Sequence, residues 1–99
     1  MPYKVEYTSI KPAEVEWWSF NNMSDFHTLM EWELSQHHLL LSKILSSPNP
    51  NTIISDEIYV SEEAFQTMMQ MRSENSIWQS REAYNTANNI IRTAVFTTI

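Results

Sequence analysis

Glu33 and His37 stand four residues apart, and a helix that carried both would set them on the stripe that holds Phe26 and Met30. An acid and an imidazole would then point inward together. A partly desolvated pair of this kind can act as a general base and the group that orients it. The alternative is a helix that ends near Glu33 and leaves both groups at a solvated rim. His27, Glu31, His37 and His38 offer nitrogen and oxygen donors, yet their spacing matches no zinc signature, and His37 and His38 diverge if either lies on a strand. No metal is expected. Trp17, Trp18, Phe20 and Trp32 form the densest aromatic group in the chain, and Trp32 projects away from the main apolar side of its helix. Trp18 and Trp32, with Tyr7 and Tyr59, are candidate walls of a pocket for a small aromatic or apolar ligand. The same tryptophans could instead anchor a subunit interface. Met68 and Met69 keep helical spacing with Phe65 and read as core. Tyr84, Asn85, Asn88 and Arg92 offer polar groups before the last strand, or simply asparagines at a helix end in a chain that has no glycine.

Positioning these residues requires strands and helices in a particular order. Tyr3 to Ile10 alternates Tyr3, Val5 and Tyr7 with Lys4, Glu6 and Thr8, the period-two mark of a half-buried strand, and Pro12 ends it. Ala13 to Asn22 reads equally as a strand extension or an ordered loop. Ser24 can cap a helix that continues through Phe26, Leu29, Met30 and Leu34, with Asp25 in its first turn. The apolar run Leu39 to Leu45 predicts a second strand, with Pro48 and Pro50 marking a turn. Thr52 to Val60, rich in β-branched and aromatic side chains, predicts a third. Ser61 followed by Glu62 and Glu63 opens a helix bearing Phe65 and Met68, with a break near Ser73 to Ser76. A helical turn or two follows from Ile77 to about Asn88, with the Arg81 stem on its apolar side, and Ile90 to Ile99 predicts the final strand. The order is β-α-β-β-α-β in one domain over residues 1–99: a ferredoxin-like α+β fold with two helices on one face of a four-stranded antiparallel sheet. The other face is left bare. Several strands carry large apolar groups on both sides, so a second copy of the chain is the expected cover, giving a homodimer.

Composition excludes several classes of function. Twelve acidic side chains against six basic ones give a net charge of −6, and the three lysines and three arginines are scattered along the sequence, so no nucleic-acid partner is expected. No apolar run reaches the length of a membrane span and no signal-peptide core is present, which points to a cytoplasmic protein without a membrane partner. The lack of cysteine excludes disulfides, thiolate metal sites and a cysteine nucleophile. The lack of glycine disfavours the loops that cradle phosphates, and nucleotide cofactors with them. No cofactor is expected.

The segments SPNPNTIISDEIYVSEEAFQTMM and WQSREAYNTANNIIRTAVFTTI, within Ser47 to Ile99, resemble the C-terminal half of the dimeric α+β barrel superfamily. Its antibiotic-biosynthesis-monooxygenase-like and stress-responsive A/B barrel domains share the Pro- and Asn-containing turn and the Ser-Glu-Glu-Ala-Phe helix start. The first half matches only in its order of elements. The resemblance implies a homodimer whose two sheets face each other as a barrel, with a pocket on the bare face of each sheet. The superfamily includes cofactor-independent oxygenases of aromatic quinols, haem-degrading enzymes, isomerases and members with no known activity, and fold alone does not choose among them. The haem-degrading branch is disfavoured, because no histidine follows His38. Two functions are therefore expected: a small-ligand-binding barrel of monooxygenase type, with Glu33 and His37 as candidate catalytic groups, or a non-catalytic dimeric accessory or interaction protein.

Overall fold

The structure is a computed structural model that describes residues 1–99. Its elements follow the expected order, with each helical segment split in two: β1 Tyr3–Ile10, α1 Trp18–Asn21, α2 Met23–Leu34, β2 Leu40–Asn49, β3 Thr52–Tyr59, α3 Glu62–Ser73, α4 Ser76–Ala87 and β4 Ile91–Thr98. All strand pairs are antiparallel, in the order β2-β3-β1-β4. This is the ferredoxin-like arrangement, with β1 and β3 at the centre. No helix is long and apolar enough to cross a membrane.

Register sorts the strand residues into two faces. Val5 lies opposite Glu57 and Phe96, and Tyr7 lies opposite Ser55 and Ala94. These residues, with Tyr3, Ser9, Tyr59 and Arg92, share the face that the helices cover. Val5, Leu39, Leu40, Tyr59, Ala64 and Met68 form the core there, and Trp32 and Phe65 pack against it. Phe65 extends the core into an aromatic group, with its ring centroid 5.2 Å from Tyr59, 5.6 Å from Phe96 and 5.7 Å from Tyr3. The open face carries Ile10, Ile44, Ile91 and Val95, each more than half exposed. Lys4, Glu6 and Asp56 lie among them, so this face is mixed in character and not uniformly apolar.

Helix ends show how a chain without glycine stops and starts. Ser61 Oγ accepts a hydrogen bond from the Ala64 amide, as its position before two glutamates leads one to expect. Asn75 Oδ1 accepts from the Ile77 and Trp78 amides and so begins α4, which spans Ser76–Ala87, close to the expected Ile77 to about Asn88. At its far end Asn89 takes φ of 58°, the left-handed conformation that glycine usually fills and that asparagine tolerates best among the other residues. Ser24 does not cap: α2 starts at Met23, and Ser24 falls inside its first turn. β2 runs past Leu45 to Asn49. Pro48 is accommodated because β2 is an edge strand whose register shifts between Ser46 and Asn49.

Candidate functional site

The segment after β1, ambiguous in sequence, is a loop followed by one helical turn, and it is held at several points. The Lys11 amide donates to the Asn51 carbonyl and its Nζ to Asn51 Oδ1, tying the loop to the β2–β3 turn. Trp17 Nε1 donates to the Pro50 carbonyl at 3.0 Å. Tyr84 Oη, from α4, donates to the Glu16 carbonyl at 2.6 Å. These contacts hold α1 over the sheet and leave a cavity of about 110 Å³ beneath it. Trp17, Trp18, Phe26 and Met30 form its helical wall, and Tyr7, Leu45 and Ile53 belong to the sheet wall. The cavity therefore sits on the helix-covered face, not on the bare face where a pocket was expected. Ser9 of β1 and Ser55 of β3, both short side chains, line its floor.

One end of the cavity meets a buried group of charges. Lys43 from β2 and Arg72 from the last turn of α3 lie between two carboxylates, Glu33 of α2 and Glu57 of β3, and all four side chains are almost fully buried. Lys43 Nζ donates to Glu33 Oε2 at 2.5 Å and lies 3.4 Å from Glu57 Oε2. Arg72 bridges the two acids, with Nε donating to Glu33 and Nη2 to Glu57, each at 3.0 Å. Tyr59 Oη and Ser55 Oγ also donate to Glu57, at 2.5 and 3.1 Å. Burial would raise both acids. Lys43 and Arg72 more than reverse this, and Glu33 and Glu57 are held below the usual carboxylate value. Burial pushes Tyr59 well above the ordinary phenol, and Tyr7, beside the cavity, is raised for the same reason. Two anions and two cations, each hydrogen-bonded, make the cluster neutral as a whole. Glu57 is a firmly ionised group with its lone pairs occupied. It can hold Arg72 and Lys43 in place, but it is a poor proton acceptor.

The candidate residues divide accordingly. Tyr7 and Trp18 line the cavity. Tyr59 is in the core behind it, reaching the site only through Glu57, and Trp32 packs on the core away from it. Glu33 is wholly buried, yet α2 ends at Leu34, and His37 lies exposed in the following turn. The expected acid–imidazole pair is not formed. The helix stops because the Ser35 and Gln36 amides close the last turn on the Glu31 and Glu33 carbonyls. Glu33 then turns to Lys43 and Arg72. His27, Glu31 and His38 are exposed, and no three acidic or imidazole side chains converge as a metal would require.

Lys43, Glu57 and Arg72 are not singled out by the sequence, and Arg81 is marked there only as an apolar stem on the inward side of its helix. A signal existed for Arg72, which continues the helical spacing of Phe65, Met68 and Met69 and so sits on the buried stripe. None existed for Glu57. On β3 the two faces, Ile53, Ser55, Glu57 and Tyr59 against Thr52, Ile54, Asp56 and Ile58, match in make-up, so periodicity alone does not turn Glu57 inward.

No family model matches the sequence, and no curated protein matches it. Solved structures do match in fold. A candidate antibiotic biosynthesis monooxygenase from Deinococcus radiodurans superposes with a TM-score of 0.68 at 11% identity, over 98% of this chain and 91% of that one. Rv0793 from Mycobacterium tuberculosis gives 0.62 at 13% identity, over 100% of this chain and 96% of that one. SnoaB, a cofactor-independent oxygenase from Streptomyces nogalater, gives 0.60 at 10% identity, over 99% and 91%. At such identities the likeness is one of fold: this chain has the α+β fold of the antibiotic-biosynthesis-monooxygenase-like proteins.

Proposed function

We propose that this protein, sharing the fold of the monooxygenase-like α+β barrels, binds a small aromatic molecule in the cavity between its helices and its sheet. The observation that carries the reading is the wall itself. Two indoles, a phenyl ring and a thioether face a tyrosine across a space next to fixed cations. That is an apolar enclosure with a few convergent polar groups. Trp18 and Tyr7 are the ligand-contacting residues of this proposal, and Glu33 acts at a distance by holding Lys43 and Arg72.

The reaction class to assay first is cofactor-independent oxygenation of a dihydroxy-aromatic compound. A quinol and dioxygen can yield a hydroxyquinone and water with all four electrons supplied by the quinol, so no external reductant is needed. Cations at the wall favour the ionised phenol, the form that gives up an electron most readily. The proposal includes a homodimer formed through the open sheet face, supported by the four exposed aliphatic side chains Ile10, Ile44, Ile91 and Val95.

Tryptophan emission and melting temperature, followed while hydroquinones and naphthohydroquinones are added, test the binding. Quenching together with a raised melting temperature is expected, because Trp17 and Trp18 form the wall and a ligand bound only to the native state stabilises it. No response to any of these compounds would remove the reading. Binding without dioxygen uptake at an oxygen electrode would leave a ligand-binding protein without this activity.

A further inference from the structure

Four of the six lysine and arginine side chains in this acidic protein converge on the one cavity: Lys43, Arg72, Arg81 and Arg92. The carboxylates paired with them are Glu33, Glu57 and Glu82. Lys43 and Arg72 are fully matched by Glu33 and Glu57. Arg81 and Arg92 have Glu82 as their one carboxylate in ion-pair contact, although Glu33 also attracts Arg81 from farther off. Arg92 Nη2 donates to Glu82 Oε1 at 2.5 Å, while Arg81 Nε stands 3.8 Å from the same oxygen, too far for a hydrogen bond. Arg81 Nε is buried and has no other acceptor. Trp78 lies 5.8 Å from both guanidinium groups and Tyr7 lies 5.7 Å from that of Arg92, which fixes these cations but supplies no hydrogen-bond acceptor. Burial, and then the neighbouring Arg92, pulls Arg81 down to about 10. One positive charge and two buried donors, Arg81 Nε and Trp78 Nε1, are left over beside an aromatic wall.

Volume sets the rest of the ligand. The cavity of about 110 Å³ is smaller than the roughly 150 Å³ that accommodates one benzene in an apolar protein core, so it can enclose no more than a single ring.

We propose that the cavity takes a single-ring aromatic anion, its ring against Trp18 and Phe26 and its carboxylate on Arg81 and Arg92. This rests on the aromatic-ligand reading above and narrows it to a charge and a size. Calorimetric titration of the whole protein with gentisate, a dihydroxybenzoate, and with its neutral amide tests it. The acid is expected to bind about tenfold more tightly or better, as charge-assisted hydrogen bonds require. Arg81→Gln is expected to erase that ratio with the amide's affinity little changed, and Arg81→Lys to keep part of it. If Arg81→Gln does not fold by circular dichroism, the acid-to-amide ratio of the unaltered protein decides alone. Equal affinities would overturn the anion assignment and leave the aromatic pocket standing. Binding of neither compound, nor of the hydroquinones, would remove both. Tighter binding of a dihydroxynaphthoate than of gentisate would overturn the single-ring assignment.

Discussion

Replacing Arg72 with methionine keeps most of the side chain's length and removes the cation that bridges Glu33 and Glu57. Each carboxylate loses a 3.0 Å charge-assisted hydrogen bond, and Lys43 is left alone between two buried anions. Removing one partner of a buried ion pair costs about 3–5 kcal/mol, because the remaining charge has no water to return to. A domain of this length has a total stability of roughly 5–15 kcal/mol, so the loss is a large share of it. The melting temperature should fall by at least about 12 °C, and the urea midpoint should fall with it. Lys4→Met provides the contrast. Lys4 and Asp56 are 3.9 Å apart and more than a third exposed, so that change should stay within ~1 kcal/mol. The pH profile adds a sign that packing loss cannot mimic. In the unaltered protein Glu33 and Glu57 lie below their ordinary 4.5, so their contribution is complete above that value and is lost as pH falls through the lowered one. In Arg72→Met Glu57 loses the larger of its two cations, burial is no longer outweighed there, and its carboxyl rises above the ordinary value, while Glu33 keeps Lys43, the larger of its own. The Glu57 contribution is then present below that value and lost as pH rises. The variant should gain stability on acidification from about pH 7 to pH 5, where the parent is flat. Urea titrations followed by circular dichroism at several pH values measure both. A loss under ~1 kcal/mol with an unchanged pH slope would refute the reasoning, since the four charges would then be behaving as solvated ones.

Other outcomes follow from single residues. Asn89→Ala should cost about 1 kcal/mol by denaturant titration, because a Cβ without a local hydrogen-bonding group is penalised at φ of 58°, and Asn89→Gly should be neutral or better. Ser61→Ala should cost about 1 kcal/mol by removing the acceptor for the Ala64 amide, and Ser61→Asp should restore it. The double change Ile44→Lys with Val95→Lys should leave the fold intact and give a monomer by sedimentation equilibrium, where the parent is expected to sediment as a dimer. A parent that is monomeric at micromolar concentration would end the homodimer reading.

The fold was legible because its signals are local. Alternation in Tyr3 to Ile10, the Ser61 cap with its acidic first turn, and the proline-rich turn between β2 and β3 each follow from neighbouring residues, and their order determines the sheet. The site was only partly legible, for the opposite reason. The three arginines, Arg72, Arg81 and Arg92, sit on three different elements and are brought together only when α3, α4 and β4 pack on one face, so their spacing in the sequence does not show that they converge. Glu33 was singled out for its inward phase on α2, and it is inward, but its partner comes from β2 and α3 and not from the neighbouring His37. Tyr7 and Trp18 were expected at a cavity and line one, on the helix-covered face of the sheet and not the bare one. Which face of an antiparallel sheet receives the helices depends on contacts between distant elements, and on β3 Ile54 and Ile58 on one face are balanced by Ile53 and Tyr59 on the other.

A crystal structure of the protein soaked or grown with gentisate tests the central claim most directly. The account predicts electron density for the ring between Trp18, Phe26 and the β1 wall at Tyr7, with the carboxylate within hydrogen-bond distance of Arg81 Nε. Density on the open sheet face, or an unchanged cavity at saturating ligand, would contradict it.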